Sequence, residues 1–199
     1  MEGQRQPIAR ARQRSQEATR IALIEAATGL FAAHGIAGTR TADIARAAGV
    51  AVGTVYLHFK DKDALLKAVL KLALGRLKQE LIRFPPSSAT PVQDKMVALA
   101  SFTENFPDLA SVLFDGGNLS TIPGQEALDF LTQSQERGLQ EGVTKGYYRG
   151  DLNRALAARA MVGSLVQVLR WWAKHPEMAT RQEVIKALTV LRLEGLGVR

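Results

Sequence analysis

The sequence predicts an all-α protein. Over most of the chain apolar residues recur at spacings of three and four, the pattern of a helix with one buried face, and no alternating Val-, Ile- or Thr-rich run of strand length stands out. Helix-capping residues and Gly or Pro breaks divide this pattern into about nine helices. With 199 residues, of which 46% are hydrophobic and 23% charged, the chain is long enough for one or two domains with a hydrophobic core.

The first four helices are predicted from caps and short turns. Residues 1–14 are polar, arginine-rich and aperiodic, so we expect a flexible basic arm. Ser15 is the predicted N-cap of the first helix, and His34 and Gly35 mark its C-terminal end. Shorter patterns then predict helices at residues 41–49, 52–59 and 61–82.

A Pro- and Ser-rich segment at residues 84–91 predicts a linker, and five further helices follow it. They are predicted at residues 92–105, 108–114, 123–141, 153–174 and 180–195, the last one beginning with a Thr180–Glu183 capping box. Glycines at 138, 142, 146 and 150 are spaced as in a membrane helix-packing motif, but charged residues stand between them. We therefore interpret these glycines as a helix end followed by a turn.

Charge and composition narrow the class of partner. Lys and Arg number 26 against 19 Asp and Glu, a net charge of +7 that favours polyanions, with nucleic acid first and an anionic membrane second. Cysteine is absent, which excludes disulfides, cysteine nucleophiles and Cys-ligated zinc. The three histidines lie far apart in the sequence, so we expect no metal site, and we expect no cofactor.

The arginine-rich N-terminus, followed by the apolar stretch 21–38, has the composition of a secretory signal. Glu25 interrupts that stretch, and its apolar residues have helical spacing instead of forming a continuous run. A later apolar segment, residues 152–172, contains three arginines, which disfavours a membrane span. We therefore expect a soluble, cytoplasmic protein with no membrane partner.

The most informative segment is residues 39–66, where two short predicted helices meet at Ala48-Gly49-Val50. This spacing is typical of a helix-turn-helix, whose second helix enters the major groove of DNA. Gly49 provides the positive φ that the turn requires. The outward residues of the second helix are small or hydrogen-bonding, as close contact with DNA requires. They are Gly53, Thr54, Tyr56 and His58, and the expected small core consists of Ile44, Ala45, Val50, Val55 and Phe59.

Four stretches of this segment together resemble the TetR-type transcriptional regulators. They are Thr41-Ala42-Asp43-Ile44-Ala45, Ala48-Gly49-Val50, Gly53-Thr54-Val55-Tyr56-Leu57-His58-Phe59 and Lys62-Asp63-Ala64-Leu65-Leu66. The resemblance covers about the first third of the chain. It implies a DNA-binding domain at residues 15–60 that extends into a linking helix to about residue 82, and an effector-binding and dimerisation domain at residues 61–199. Ala51 departs from the family, which often has Ser or Thr there, so a capping side chain and a candidate phosphate contact are missing.

The resemblance also implies which residues contact DNA. Phosphate contacts are expected from Arg40, Thr41, Tyr56, His58 and Lys62, while Gly53 and Thr54 are expected nearest the bases. Three alternatives remain: a core position for Tyr56, a solvated helix start for Lys62, and a solvated tail for the arginine arm, which could otherwise reach a minor groove.

In this family the C-terminal domain dimerises and binds a small effector. On the eighth helix Ala160, Gly163, Ser164 and Gln167 form a strip of small residues, and the last helix offers Val184, Leu188 and Leu191. Two such helices per subunit fit a four-helix dimer bundle, with an intramolecular core as the alternative.

The candidate ligand-binding residues are Phe102, Phe106, Phe114, Phe130, Met161, Leu165 and Trp172. Aromatic residues and methionines at helical spacing are also common in ordinary cores, so each has a core position as its alternative. No cluster of buried-type charges in the sequence marks a polar ligand. We therefore favour a lipophilic effector, such as a fatty acyl compound or a hydrophobic drug.

The predicted function is that of a ligand-responsive transcriptional repressor, which binds a palindromic double-stranded DNA operator as a homodimer and is released by its effector. The alternative is a basic helical adaptor without sequence-specific DNA binding. An enzyme is disfavoured because the chain has no GxSxG, P-loop, HExxH or Rossmann glycine motif.

Overall fold

A computed structural model describes residues 5–87, 89–115 and 121–196, with side chains from Arg12 to Gly195. Within these ranges the regular structure consists of nine α-helices and a 3-10 turn at Pro176–Met178, with no β-strand, which confirms the predicted all-α class. The helices are α1 (Arg5–Gly38), α2 (Thr41–Ala47), α3 (Val52–His58), α4 (Lys62–Arg83), α5 (Pro91–Asn105), α6 (Pro107–Leu113), α7 (Ile122–Thr144), α8 (Arg154–Lys174) and α9 (Arg181–Leu196).

The first helix begins earlier than predicted. Ser15 lies inside α1, where its carbonyl oxygen accepts a hydrogen bond from the Thr19 hydroxyl (3.0 Å), instead of capping the helix start. Residues 5–14 are helical rather than irregular because Ala, Arg and Gln, all good helix formers, make up most of them. Residues 1–4 of the predicted arm lie outside the described residues. At the other end Gly35 adopts a φ of 69° and interrupts the helix, as predicted.

The chain divides into two compact units, Met1–Val69 and Leu70–Arg199. The division falls inside α4, later than the boundary predicted at residue 60. Leu65, Leu66 and Val69, in the first turns of α4, are buried and belong to the first unit. The assignment of a function to each unit remains a prediction.

The core of the first unit accounts for the hydropathy of α1. Residues 12–38 are long and apolar enough to cross a membrane, judged by length and composition alone. Leu23, Ala27 and Phe31 from this stretch are buried. Burying a side chain such as Leu or Phe stabilises a fold by about 1.5–3 kcal/mol, so packing explains why this face of α1 is apolar.

In the second unit, α5 and α8 occupy the centre: α5 packs against α6, α8 and α9, and α8 also packs against α6 and α7. Phe102 and Met96 on α5 and Leu169 on α8 are among its most completely buried side chains. This arrangement places α5, α7 and α9 around the polar cleft described below.

The glycines at the end of α7 form a helix end and a turn, as predicted. The Tyr147 amide donates to the Gly142 carbonyl (2.8 Å) and the Gly146 amide donates to the Val143 carbonyl (3.0 Å), with Gly146 at a φ of 76°. This is the hydrogen-bond pattern of a Schellman cap. The turn folds Tyr148 back onto α7, where its ring lies so close to Gly142 that a Cβ atom at that position would overlap it.

Candidate functional site

The turn between α2 and α3 has the geometry that the sequence predicts. Gly49 adopts a φ of 69°, its amide donates to the Arg46 carbonyl (3.1 Å), and the Val50 amide donates to the Ala45 carbonyl (3.0 Å). These bonds close α2 with a Schellman cap that favours glycine at its left-handed position. Ala51 stands at the N-cap of α3 and offers no side-chain hydrogen bond.

A small core holds α3 in place. Ile44 and Ala45 on α2, Val55 on α3 and Phe59 just after it are buried, as predicted, while Val50 is only half-buried. The Arg20 guanidinium lies over the Phe59 ring, 5.2 Å from its centroid, and adds a cation–π contact from α1. The opposite side of α3 therefore does not take part in this core.

That opposite side is exposed. Tyr56 is 56% exposed, so its side chain lies outside the core, and Gly53 is exposed as well. Thr54 and His58 are half-buried at the edges of this face. A Cβ atom at Gly53 would meet nothing within 4 Å, so packing in the free protein does not require glycine there.

One member of this face is not among the residues predicted from the sequence. Leu57 is 85% exposed on α3, an unusual position for a leucine beside polar residues. Its signal in the sequence was its place between Tyr56 and His58, two residues after the buried Val55. Apolar side chains on a recognition helix contact thymine methyl groups, so Leu57 joins the candidate DNA-facing residues.

The remaining predicted DNA contacts lie at helix starts. Arg40 is exposed at the N-cap of α2, and Thr41 is the first residue of that helix. The Lys62 ammonium donates to the carbonyls of Ile36 (2.6 Å) and Thr39 (3.2 Å). Two of its three protons therefore hold the α1–α2 connection, and one remains for a phosphate.

The structure does not bring the seven predicted ligand-binding residues together. Met161 and Leu165 line a cavity of about 230 Å³ between α5, α8 and α9, and Trp172 lines another of about 300 Å³. Phe102 is packed against Phe106 and Phe114, with ring centroids 6.0 and 6.1 Å apart, as in an ordinary aromatic core. Phe130 is 52% exposed on α7.

The second unit also contains a polar cleft of about 480 Å³, which the sequence analysis missed. The residues that matter for its chemistry are Lys95 on α5, Glu141 on α7, Lys145 and Tyr148 after α7, and Arg192 on α9, with Gln135 of α7 behind them. The sequence analysis found no cluster of buried-type charges, whereas the fold places the buried Arg192 beside the half-buried Lys95. These residues come from separate segments, and only the fold brings them together.

One of these residues had a signal in the sequence. Arg192 stands four residues after Leu188 and eight after Val184, so it continues the buried stripe of α9, and all three are buried. A charged residue on an apolar helix stripe is the pattern that predicts a buried charge.

Of the residues that the structure describes, the charged ones lining the cleft are three cations, Lys95, Lys145 and Arg192, and one carboxylate, Glu141. Burial, and secondarily the charge of Arg192, lower the pKa of Lys95 to about 8, while the Glu141 carboxylate opposes the shift. A lysine pKa this low means that the interior resists a second positive charge next to Arg192.

The comparisons with known proteins agree with this geometry. Residues 23–69 match the family model of bacterial regulatory proteins, tetR family. The chain is 30% identical to the HTH-type transcriptional repressor KstR2 of Mycolicibacterium smegmatis over 173 residues, which cover 80% of this chain and 82% of that protein. It is 25% identical to the fatty acid metabolism regulator protein of Bacillus subtilis, over 87% of this chain and 93% of that one.

A solved structure shows the same fold. The fatty acid degradation regulator FadR from Bacillus halodurans superimposes with a TM-score of 0.71 at 27% identity, covering 87% of this chain and 94% of that chain. All three relatives are regulators by name, and KstR2 is a transcriptional repressor. The chain therefore belongs to the TetR family of bacterial regulatory proteins, which confirms the predicted function of a DNA-binding transcriptional regulator.

Proposed function

We propose that the protein is a cytoplasmic, homodimeric repressor that reads its operator with α3. The observation that carries the proposal is the exposed face of α3, a seven-residue helix held by the Gly49 turn and the Val55–Phe59 core. Gly53 and Thr54 lie nearest the bases. The space around Gly53 is open in the protein, so its lack of a side chain serves the close approach of a partner and not internal packing, which supports this role. Phosphate contacts come from Arg40, Thr41, Tyr56, His58 and Lys62.

Dimerisation uses the surface of α8 and α9, and its occupant is a second copy of this chain. The small strip on α8 is accessible, since Ala160, Gly163 and Gln167 are exposed. On α9 Leu191 is 59% exposed and borders the 230 Å³ cavity between these helices. A two-fold operator calls for a two-fold protein, and a groove beside small residues admits the side chains of a partner's helices.

The effector is a small molecule with a lipophilic part. The names of the relatives support this class: two are regulators of fatty acid metabolism or degradation. The seven predicted ligand-binding residues stay candidates for its apolar contacts. Binding is transmitted through α4, which continues from the first unit into the second. Weakening DNA binding about 100-fold requires about 2.7 kcal/mol of coupling between the two sites.

The test begins with selection of duplexes from a random pool by the purified protein, followed by fluorescence anisotropy on the selected duplex. We expect a palindromic site, a complex of two chains per site, and affinity that falls steeply with added salt because phosphate contacts release counterions. Binding that selects no sequence, or that is insensitive to salt, would support the basic adaptor instead.

The dimer is tested separately by sedimentation of two matched variants. Leu191→Arg places a charge in the proposed interface, and Ile82→Arg places the same charge at another exposed apolar position, on α4. We expect Leu191→Arg to be monomeric and Ile82→Arg to remain dimeric. If both variants stay dimeric, the α8–α9 surface is not the interface.

A further inference from the structure

The cleft between α5, α7 and α9 contains a buried arginine with no acidic partner. Arg192 is 7% exposed; its Nε donates to the Tyr148 hydroxyl oxygen (2.6 Å) and its Nη1 donates to Gln135 Oε1 (3.0 Å). The guanidinium also lies 5.4 Å from the centroid of the Tyr148 ring. Among the described residues, neither a carboxylate within ion-pair distance nor a partner for Nη2 is present.

A second cation shares the same acceptor. The Lys95 ammonium donates to Gln135 Oε1 over 3.4 Å, so one neutral amide oxygen serves both Lys95 and Arg192. Glu141, which also lines the cleft, makes no ion pair with either cation and is itself exposed. Arg192 is buried and Lys95 is half-buried beside it, and adjacent like charges repel each other, so an anion from outside the chain would stabilise this arrangement.

The residues around Arg192 hold its side chain in a fixed position at one end of the cleft. Gly142 leaves the space that the Tyr148 ring occupies, and the Schellman turn after α7 brings the Tyr148 hydroxyl to Arg192. The cleft of about 480 Å³ lies within the range of small-molecule sites and has apolar walls at Val92 and Pro91. Arg192 is thus held at the inner end of the cleft, and the outer part of the cleft has room for the rest of a ligand.

We infer that this cleft binds the oxyanion of a small organic acid, a carboxylate or a phosphate ester, through Arg192 and Lys95. Nη2, the arm of the Arg192 guanidinium fork that has no partner in the described part of the chain, is free to donate to such an anion, and the lysine adds a point charge. The inference rests on the proposed function only in identifying this acid as the effector. It narrows the lipophilic effector to an amphipathic molecule with a negatively charged head group.

The experiment compares three probes that share one ten-carbon chain: decanoate, decyl phosphate and decanol. Their dissociation constants are measured by titration calorimetry on the full-length protein without DNA. We expect at least one of the two anions to bind at least about tenfold more tightly than decanol, and the preference between them distinguishes the carboxylate from the phosphate. Binding of neither anion, or equal affinity for decanol, would overturn the inference.

Variants assign the selectivity to these side chains. Lys95→Met removes a desolvated charge, so we expect it to fold, to bind the preferred anion about tenfold more weakly and to leave decanol binding unchanged. Lys186→Met, at an exposed position of α9, is the matched control and keeps wild-type affinities. Arg192→Lys keeps the charge but loses the fork, and we expect it to weaken anion binding as well. Wild-type anion affinity in Lys95→Met and Arg192→Lys would contradict the assignment.

A separate DNA-binding measurement distinguishes this inference from the proposed function. A protein that binds the anion but selects no duplex sequence retains the anion site and contradicts only the repressor. A protein that binds its operator but does not distinguish decanoate or decyl phosphate from decanol contradicts only the anion site.

Discussion

The two units of the molecule present their candidate sites in opposite ways. In the first unit α3 is a short convex element with Tyr56 and Leu57 projecting into solvent. In the second unit Lys95 and Arg192 line a concave cleft, with Arg192 buried and Lys95 half-buried. A convex exposed site contributes little to folding, so its residues are replaceable at small effect on stability. A charged site with a buried member is coupled to stability, since the Arg192 guanidinium has been largely removed from water.

The largest expected effect is a loss of DNA affinity, without a loss of stability, when the exposed face of α3 is changed. Gly53→Leu places a branched side chain on the exposed face of α3, where nothing in the protein obstructs it. We expect operator affinity to fall by about 100-fold or more, because the side chain prevents close approach to the bases, with no loss in melting temperature.

Gly75→Leu is the matched control for that variant. Gly75 is an exposed helical glycine on α4 that also has open space around its Cβ position. We expect it to bind the operator like the wild type. Equal losses of DNA affinity in both variants would show that the face of α3 has no special role.

The next largest effect concerns the second unit, where a single methyl group changes stability. Gly142→Ala forces the Tyr148 ring away from α7, and we expect a loss of about 1–3 kcal/mol in the free energy of unfolding, the usual range for overpacking. Gly138→Ala, one turn earlier on the same helix with open space at its Cβ, should instead stabilise the helix by up to about 1 kcal/mol. Urea denaturation measures both, and a stable Gly142→Ala would show that the Tyr148 ring moves aside easily.

The pH dependence of stability and of ligand binding tests the role of Lys95 in the second unit. The Lys95 pKa is lowered from 10.5 in the unfolded chain to about 8 in the folded one, so between these values the unfolded chain binds more protons. The free energy of unfolding therefore rises with pH above about 8 in the wild type, and this rise is absent in Lys95→Met. An anionic ligand prefers the protonated lysine, so decanoate affinity should fall as pH increases from 7 to 9.

Other ionisable groups near Lys95 also contribute to the pH dependence of ligand binding. The charged and titratable side chains around Lys95 are Arg192, Glu141, Lys145, Tyr147 and Tyr148. Comparison of the wild type with Lys95→Met between pH 7 and 9 isolates the contribution of Lys95 from theirs. A decanoate affinity that falls equally in wild type and Lys95→Met would assign the pH effect to another group.

The same contrast explains how much the sequence predicts. The α3 site is built from neighbouring residues, so helical spacing and one turn glycine are enough to place Gly53, Thr54 and Tyr56 on one face. The cleft joins Lys95, Gln135 and Arg192 from three helices, and the packing of those helices is not contained in any local pattern. Phe130 shows the same limit, since helical spacing favoured it as a pocket residue and the fold leaves it exposed.

The smallest expected effects on DNA binding are those of substitutions at Thr54 and His58, and they distinguish a base contact from a phosphate contact on α3. Thr54 lies on the side of α3 proposed nearest the bases, whereas His58, in the last turn, is proposed to hold a phosphate. Thr54→Ala should therefore change the preferred base at one position of each half-site, with a loss of several-fold on the wild-type operator. His58→Ala should weaken binding to all duplexes by a similar several-fold factor and reduce the steepness of the salt dependence, because a lost phosphate contact releases fewer counterions. Anisotropy titrations on a set of single-base operator variants measure both patterns, and identical profiles for the two variants would contradict the division between base and phosphate contacts along α3.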